Sequence, residues 1–127
     1  MSDLRPVGVP IKLEGEERHL LFTLNANDQH QEHYKEDLSE IIDKLTDKTE
    51  AVTTLRQILL TLLNDEAERE LNLNGKELKV YSLKEIGWLV SLDNQDEILV
   101  NILKAYGLSL PEGEDDTPNL MSGQTNQ

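Results

Sequence analysis

The chain has 127 residues, no cysteine and a formal net charge of −13. The length predicts one domain, and the charge disfavours nucleic acid and anionic membrane surfaces, because both attract clustered Lys and Arg. Without cysteine there is no disulfide framework, which is compatible with a reducing compartment. No apolar run approaches the roughly 20 residues of a membrane span, and the N-terminus lacks the apolar core of a signal peptide. We expect a cytosolic protein with a protein partner.

The first predicted element is a β-hairpin. Apolar residues alternate over residues 7–13, which predicts a strand, and Pro10 indicates that this strand lies at a sheet edge. Residues 14–17 predict the turn, with Gly15 supplying a positive φ. The return strand carries three apolar residues on one face: Leu20, Phe22 and Leu24. A lone hairpin is marginal in water, so it must pack on helices.

Two helices are predicted next. The first runs from Asn27 to about Leu45, capped by Asn25 or Asn27, with a polar, exposed first half and an apolar stripe in its second half. The second opens at the capping-box spacing of Asp47 and Glu50 and ends within residues 65–70. Its wide apolar face predicts the centre of the core: Ala51, Val52, Leu55, Ile58, Leu59, Leu62 and Leu63.

Residues 71–81 allow two interpretations. Asn74-Gly75 between apolar residues is a hairpin signal, but the flanks are short and polar, so an ordered loop fits equally well. Ser82 and Glu85 form a capping box that opens a short helix, with Leu83, Ile86, Leu89 and Val90 facing inward and Trp88 beside them. Asp93 or Asn94 caps a final helix, which Gly107 ends.

The predicted fold class is α+β, an N-terminal β-hairpin packed on a small bundle of about four helices. Residues 1–110 form this single domain. Residues 111–127 carry four acidic residues and no basic one, and we expect them to form a disordered acidic tail.

No pattern of catalytic residues is visible. His30 and His33 share a helix face, but a zinc site needs three or four ligands, so surface histidines are the better interpretation. The many carboxylates accompany neither a nucleophile nor a phosphate-binding loop, and a solvated acidic face explains them. We expect no enzyme activity, no cofactor and no metal site.

The candidate partner-binding residues lie on the last two helices. Trp is enriched at binding hot spots, yet a lone Trp beside Ile86 and Leu89 is more often packed in a core, so Trp88 has both interpretations. Any apolar area that these helices leave exposed is the expected contact surface. The candidates are Trp88, Leu89, Ile102 and Tyr106.

Several segments, taken in chain order, resemble a known family. They are the hairpin over residues 11–24, its continuation Arg18–Ala26, the element Leu83–Val90, and the ending from Asp93-Asn94-Gln95 to Ala105-Tyr106-Gly107. Over residues 7–110 the chain resembles the tail assembly chaperones of long-tailed bacteriophages. It departs from them after Ala26, where the polar run Asn27–Gln31 replaces an apolar-acidic helix. The family has no motif that assigns functional residues.

The resemblance implies a function in phage tail assembly. Copies of such a chaperone coat the long, helical tape measure protein and are displaced as tail tube protein polymerises. The implied location is the cytoplasm of the bacterial host, with no chaperone in the finished virion. Homo-oligomers and a frameshifted longer product are both compatible with the family. An alternative is an acidic DNA mimic, or another phage inhibitor or adaptor that binds a host protein, although Lys and Arg interrupt its acidic residues.

Overall fold

A computed structural model of the protein describes residues 8–109. This part of the chain holds one two-stranded sheet, five α-helices and a 3₁₀ turn at Lys44–Thr46. The predicted α+β class is confirmed, with five helices where about four were expected. In chain order the elements are β1 (Val9–Leu13), β2 (Glu16–Leu20), α1 (Leu24–Tyr34), α2 (Leu38–Asp43), α3 (Ala51–Asn74), α4 (Leu83–Leu89) and α5 (Gln95–Ser109).

The hairpin has the predicted two strands and a tight turn. β1 and β2 pair antiparallel from Val9 opposite Leu20 to Leu13 opposite Glu16. Both turn residues have positive φ, 53° at Glu14 and 79° at Gly15, as a two-residue turn between twisted strands requires. The return strand ends earlier than expected. Leu24 is 82% exposed at the start of α1 and is not part of the strand.

The predicted first helix is two helices. Thr23, rather than Asn25 or Asn27, caps α1, because its Oγ1 accepts a hydrogen bond from the Ala26 N–H at 3.1 Å. α1 ends at Lys35, which adopts a left-handed φ of 59°. α2 then starts after Asp37, whose N–H donates to the Glu40 carboxylate at 3.1 Å. The expected exposure of the first half is wrong at His30, which is fully buried.

α3 is longer at its C-terminus than predicted and starts later. Asp47 does not cap it directly: the Asp47 carboxylate accepts from the Thr49 N–H at 2.8 Å, and the helix begins at Ala51. It continues through Asn74 and ends at Gly75 with a φ of 66°. Asn74-Gly75 is therefore a helix end rather than a hairpin turn. Glycine is favoured there because a left-handed residue closes the helix.

α3 carries the centre of the core. Leu55, Ile58, Leu59 and Leu62 are buried as predicted. β2, α1, α4 and the 3₁₀ turn pack against α3, and α5 contacts both strands of the hairpin. α5 continues through Gly107 to Ser109, so the predicted stop at Gly107 is wrong.

A buried ionic network joins the hairpin to α3. Arg18 is 0% exposed, and its Nε donates to the Glu66 carboxylate at 2.7 Å. Its two remaining nitrogens donate to the carbonyls of Leu63 at 2.7 Å and Lys79 at 3.1 Å. Glu66 also accepts from the backbone and ring of His19. This network fixes β2 against the middle of α3.

The predicted tail, residues 111–127, lies outside the described residues. Within residues 8–109, no helix is both long enough and apolar enough to cross a membrane.

Candidate partner-binding surface

Local capping forms α4. The Ser82 N–H donates to the Glu85 carboxylate at 2.8 Å, and the Glu85 N–H donates to Ser82 Oγ at 3.2 Å, so the predicted capping box is confirmed. The Lys79 ammonium lies 3.2 Å from the same carboxylate. The Ser82 N–H and then Lys79 lower the pKa of the Glu85 carboxyl. These bonds hold a seven-residue helix that would be too short to form alone.

α4 packs through one face and leaves the other to solvent. Ile86 is fully buried, and Leu89 is half-buried against the core. On the opposite side, Leu83 is 48% exposed and Trp88 is 74% exposed. The expected inward position of Leu83 is therefore wrong, and of the two interpretations of Trp88 the structure shows the exposed one. α4 packs against α3 through one side only. The other side therefore stays in contact with solvent.

The exposed side of α4 borders an open groove of 490 Å³. Arg56 reaches this groove from α3. Lys84 lies one turn before Trp88, as Leu83 lies one turn before Gly87, so the four α4 residues share one face. We call this surface the α4 groove; its lining residues are Arg56, Leu83, Lys84, Gly87 and Trp88.

The four residues that the sequence suggested do not form one surface. Trp88 is exposed, whereas Leu89 is half-buried in the packing against the core. Ile102 is 0% exposed and cannot contact a partner in this fold. Tyr106 is half-buried, and its ring meets the edge of Phe22 at a centroid distance of 5.9 Å. Trp88 therefore remains as the candidate anchor of a binding surface.

Sequence reasoning missed the other residues of the α4 groove. The i, i+4 spacing of Leu83 with Gly87 and of Lys84 with Trp88 was visible. Arg56 follows Val52 by one helical turn, and Val52 is itself 47% exposed. The predicted position of Val52 on the core face of α3 is wrong, and this residue instead lies on the exposed side of the helix.

Two other grooves differ in charge from the α4 groove. One, of 710 Å³, lies between α3 and residues 77–80 and is lined by both Glu68 and Lys79. The other, of 390 Å³, includes Asp65 and Arg69, which form an ion pair at 2.8 Å. Among residues 8–109, the lining of the α4 groove has two cations and no carboxylate. It is the most distinct of the three as a recognition surface.

His30, one of the two histidines that share a helix face in the sequence, lies in the core. No group of three or more His, Asp or Glu side chains within residues 8–109 is placed to hold a metal ion. The His30 ring packs near Phe22, at 5.9 Å between centroids. Burial lowers the pKa of His30 from 6.5 to about 4, although the backbone of Ile58 acts in the opposite direction. His30 is thus a neutral core residue at neutral pH.

Comparisons with protein-family models, with curated proteins and with solved structures found no match to this chain.

Proposed function

We propose that this chain is a binding protein without enzyme activity, a phage tail assembly chaperone that holds an amphipathic helix of the tape measure protein in the α4 groove. The observation that carries the proposal is Trp88, which is 74% exposed on a helix that is anchored through its other face. Large aromatic side chains held in place by a rigid element are typical centres of protein interfaces.

The shape and composition of the α4 groove suit a helical ligand. Leu83 and Trp88 offer apolar area, and an amphipathic helix can lay its apolar stripe across them. Burying the exposed part of Trp88 would contribute on the order of a few kcal/mol. One such contact is weak and reversible.

Weak contacts suit the proposed mechanism. A long helical partner offers many segments, so several copies of the chain can bind along it and gain avidity. Tail tube protein can then displace the copies one by one as it polymerises. Homo-oligomers on the partner would strengthen the coat. The net charge of −13 fits a partner that is a protein, rather than nucleic acid or a membrane.

The proposed location follows from this function. The chain acts in the cytoplasm of the bacterial host and leaves before the virion is complete. Fractionation of infected cells tests this: the chain should be present in the lysate and absent from purified virions.

Co-expression with the tape measure protein tests the function itself. The chain should keep the tape measure protein soluble and co-purify with it at low salt. Trp88→Ala should abolish both effects, while Leu24→Ala, which also truncates a highly exposed apolar residue (82%), should preserve them. If the tape measure protein is equally insoluble with and without the chain, the proposal is wrong. If both variants behave like the unmodified chain, the α4 groove is not the contact surface.

A further inference from the structure

Arg56 differs from the other arginines among residues 8–109. Arg18 lies 2.7 Å from Glu66, and Arg69 lies 2.8 Å from Asp65. Within the described residues Arg56 forms no such ion pair, and its Nε is buried without a hydrogen-bond partner. A buried donor that stays unpaired destabilises the folded chain. A carboxylate that enters the α4 groove, which Arg56 lines, would pair with this unmatched charge.

The Arg56 side chain is held in the α4 groove by packing. A methyl group at Gly87 would lie 3.3 Å from Arg56 Nη1, so the guanidinium rests against the bare backbone of α4. Trp88 and Lys84 line the same groove, and no carboxylate from the described part of the chain does. The groove is therefore a small basic site with an aromatic wall, in a chain whose net charge is −13.

We propose that Arg56 recognises a carboxylate of the bound helix, so that the preferred occupant of the α4 groove is an amphipathic helix with Asp or Glu at the edge of its apolar stripe. Guanidinium and carboxylate match in shape and charge and form strong, often bidentate hydrogen bonds. An apolar residue of the helix packs on Trp88, and the acidic residue lies one turn away, facing Arg56. The identity of the occupant as a helix rests on the proposed function.

The single tryptophan allows the recognition of a carboxylate by Arg56 to be tested in the full chain. Trp88 is the only Trp, so its fluorescence reports the α4 groove alone. The probes are two synthetic helical peptides with the same leucine stripe, one with Glu and one with Gln at the stripe edge. The Glu peptide should bind about two- to fivefold more tightly, the range expected for a partly exposed charge pair. Equal affinities, or no change in Trp88 emission with either peptide, would overturn the inference.

Variants separate Arg56 from general electrostatics. Arg56→Gln should abolish the preference for Glu, and Gly87→Ala should weaken it, because the added methyl displaces the guanidinium and leaves the charge unchanged. Lys12→Gln is the matched control, since Lys12 is an exposed cation on β1, and it should keep the preference. A preference that persists in Arg56→Gln would refute the assignment, and thermal unfolding would show whether each variant is folded.

Two further outcomes bear on the chain's own acidic segment and on the proposed function. Neutralising Glu112, Glu114, Asp115 and Asp116 together in the full chain should leave Trp88 emission and the peptide affinities unchanged. If peptide affinity instead rises severalfold, the chain's own acidic segment is the occupant and the inference is wrong. If the tape measure protein still binds in a Trp88-dependent manner while the Glu and Gln peptides bind equally, this inference fails and the proposed function stands.

Discussion

Arg18 bonds to α3 from the hairpin and Arg56 belongs to α3, but their surroundings are opposite. Arg18 is fully buried, and all three of its nitrogens donate hydrogen bonds to Glu66 or to backbone carbonyls. Arg56 is half-buried beside an exposed tryptophan, and its Nε has no hydrogen-bond partner among residues 8–109. One arginine is completely satisfied by the fold, and the other is not.

The difference separates what stabilises the fold from what is available for binding. A satisfied buried network resists change, because removing one member leaves the others buried and unpaired. An unsatisfied cation with apolar neighbours gains only when another molecule supplies the missing acceptor. Replacing arginine with leucine should therefore lower the free energy of unfolding strongly at Arg18 and hardly at all at Arg56.

Arg18→Leu should give the largest loss of stability. It leaves the Glu66 carboxylate, 3% exposed, without its cation and removes the donors to two carbonyls. Breaking a buried ion pair in this way costs about 3–5 kcal/mol, measurable by urea unfolding. Adding Glu66→Leu should recover part of the loss, because the uncompensated charge is then removed. A cost below about 1 kcal/mol for Arg18→Leu would show that the network does not hold the hairpin.

Leu59→Ala tests α3 as the element that both regions share. Leu59 is 0% exposed, and truncation should cost roughly 2–5 kcal/mol through lost contacts and the cavity left behind. Leu71→Ala, on the same helix at a position that is 51% exposed, is the control and should change unfolding by less than about 0.5 kcal/mol. A similarly small effect of Leu59→Ala would show that this part of α3 does not belong to the core.

The fold could be predicted where the signals were local. Ser82 and Glu85 define a start that needs no tertiary contact, and the long apolar face of α3 defined the core. Asn74-Gly75 could not be decided locally, because a left-handed glycine suits both a hairpin turn and a helix end. The break between α1 and α2 was readable, since Asp37 and Glu40 also have capping-box spacing.

The buried charges and the binding surface were harder to predict. Arg18 shares strand parity with Leu20 and Phe22, and Glu66 follows Leu62 by four residues, so both occupy core-facing positions. Their partnership depends on how β2 meets α3, which the sequence does not reveal. Trp88 kept two interpretations, because α4 contains other apolar residues and Trp is also enriched at binding sites. Only the packing shows that one side of this helix is uncovered.

Lowering the pH should weaken the core around His30. The folded pKa, about 4, lies below the ordinary 6.5, so the unfolded chain binds more protons between these values. The stability from neutral His30 is present above about pH 6.5 and is lost as the pH falls toward about 4. From about pH 7 to about pH 5 the loss is roughly 2 kcal/mol.

The variant His30→Leu isolates this effect from other titrating groups. Between about pH 7 and about pH 5, the free energy of unfolding measured in urea should fall by roughly 2 kcal/mol less for His30→Leu than for the unmodified chain. The exposed His33 provides the control, since His33→Gln should follow the unmodified chain. Parallel pH profiles for His30→Leu and the unmodified chain would contradict the prediction.

Arg56→Leu should give the smallest effect and completes the comparison with Arg18→Leu. The substitution removes an unpaired buried donor and leaves no carboxylate without a partner, so the free energy of unfolding should stay within about 0.5 kcal/mol or rise slightly. Urea unfolding of the two variants side by side measures the difference, which should be several kcal/mol. A loss above about 2 kcal/mol for Arg56→Leu would show that the fold itself depends on this guanidinium. The α4 groove would then be a structural contact, because its cation would already be engaged before any partner arrives.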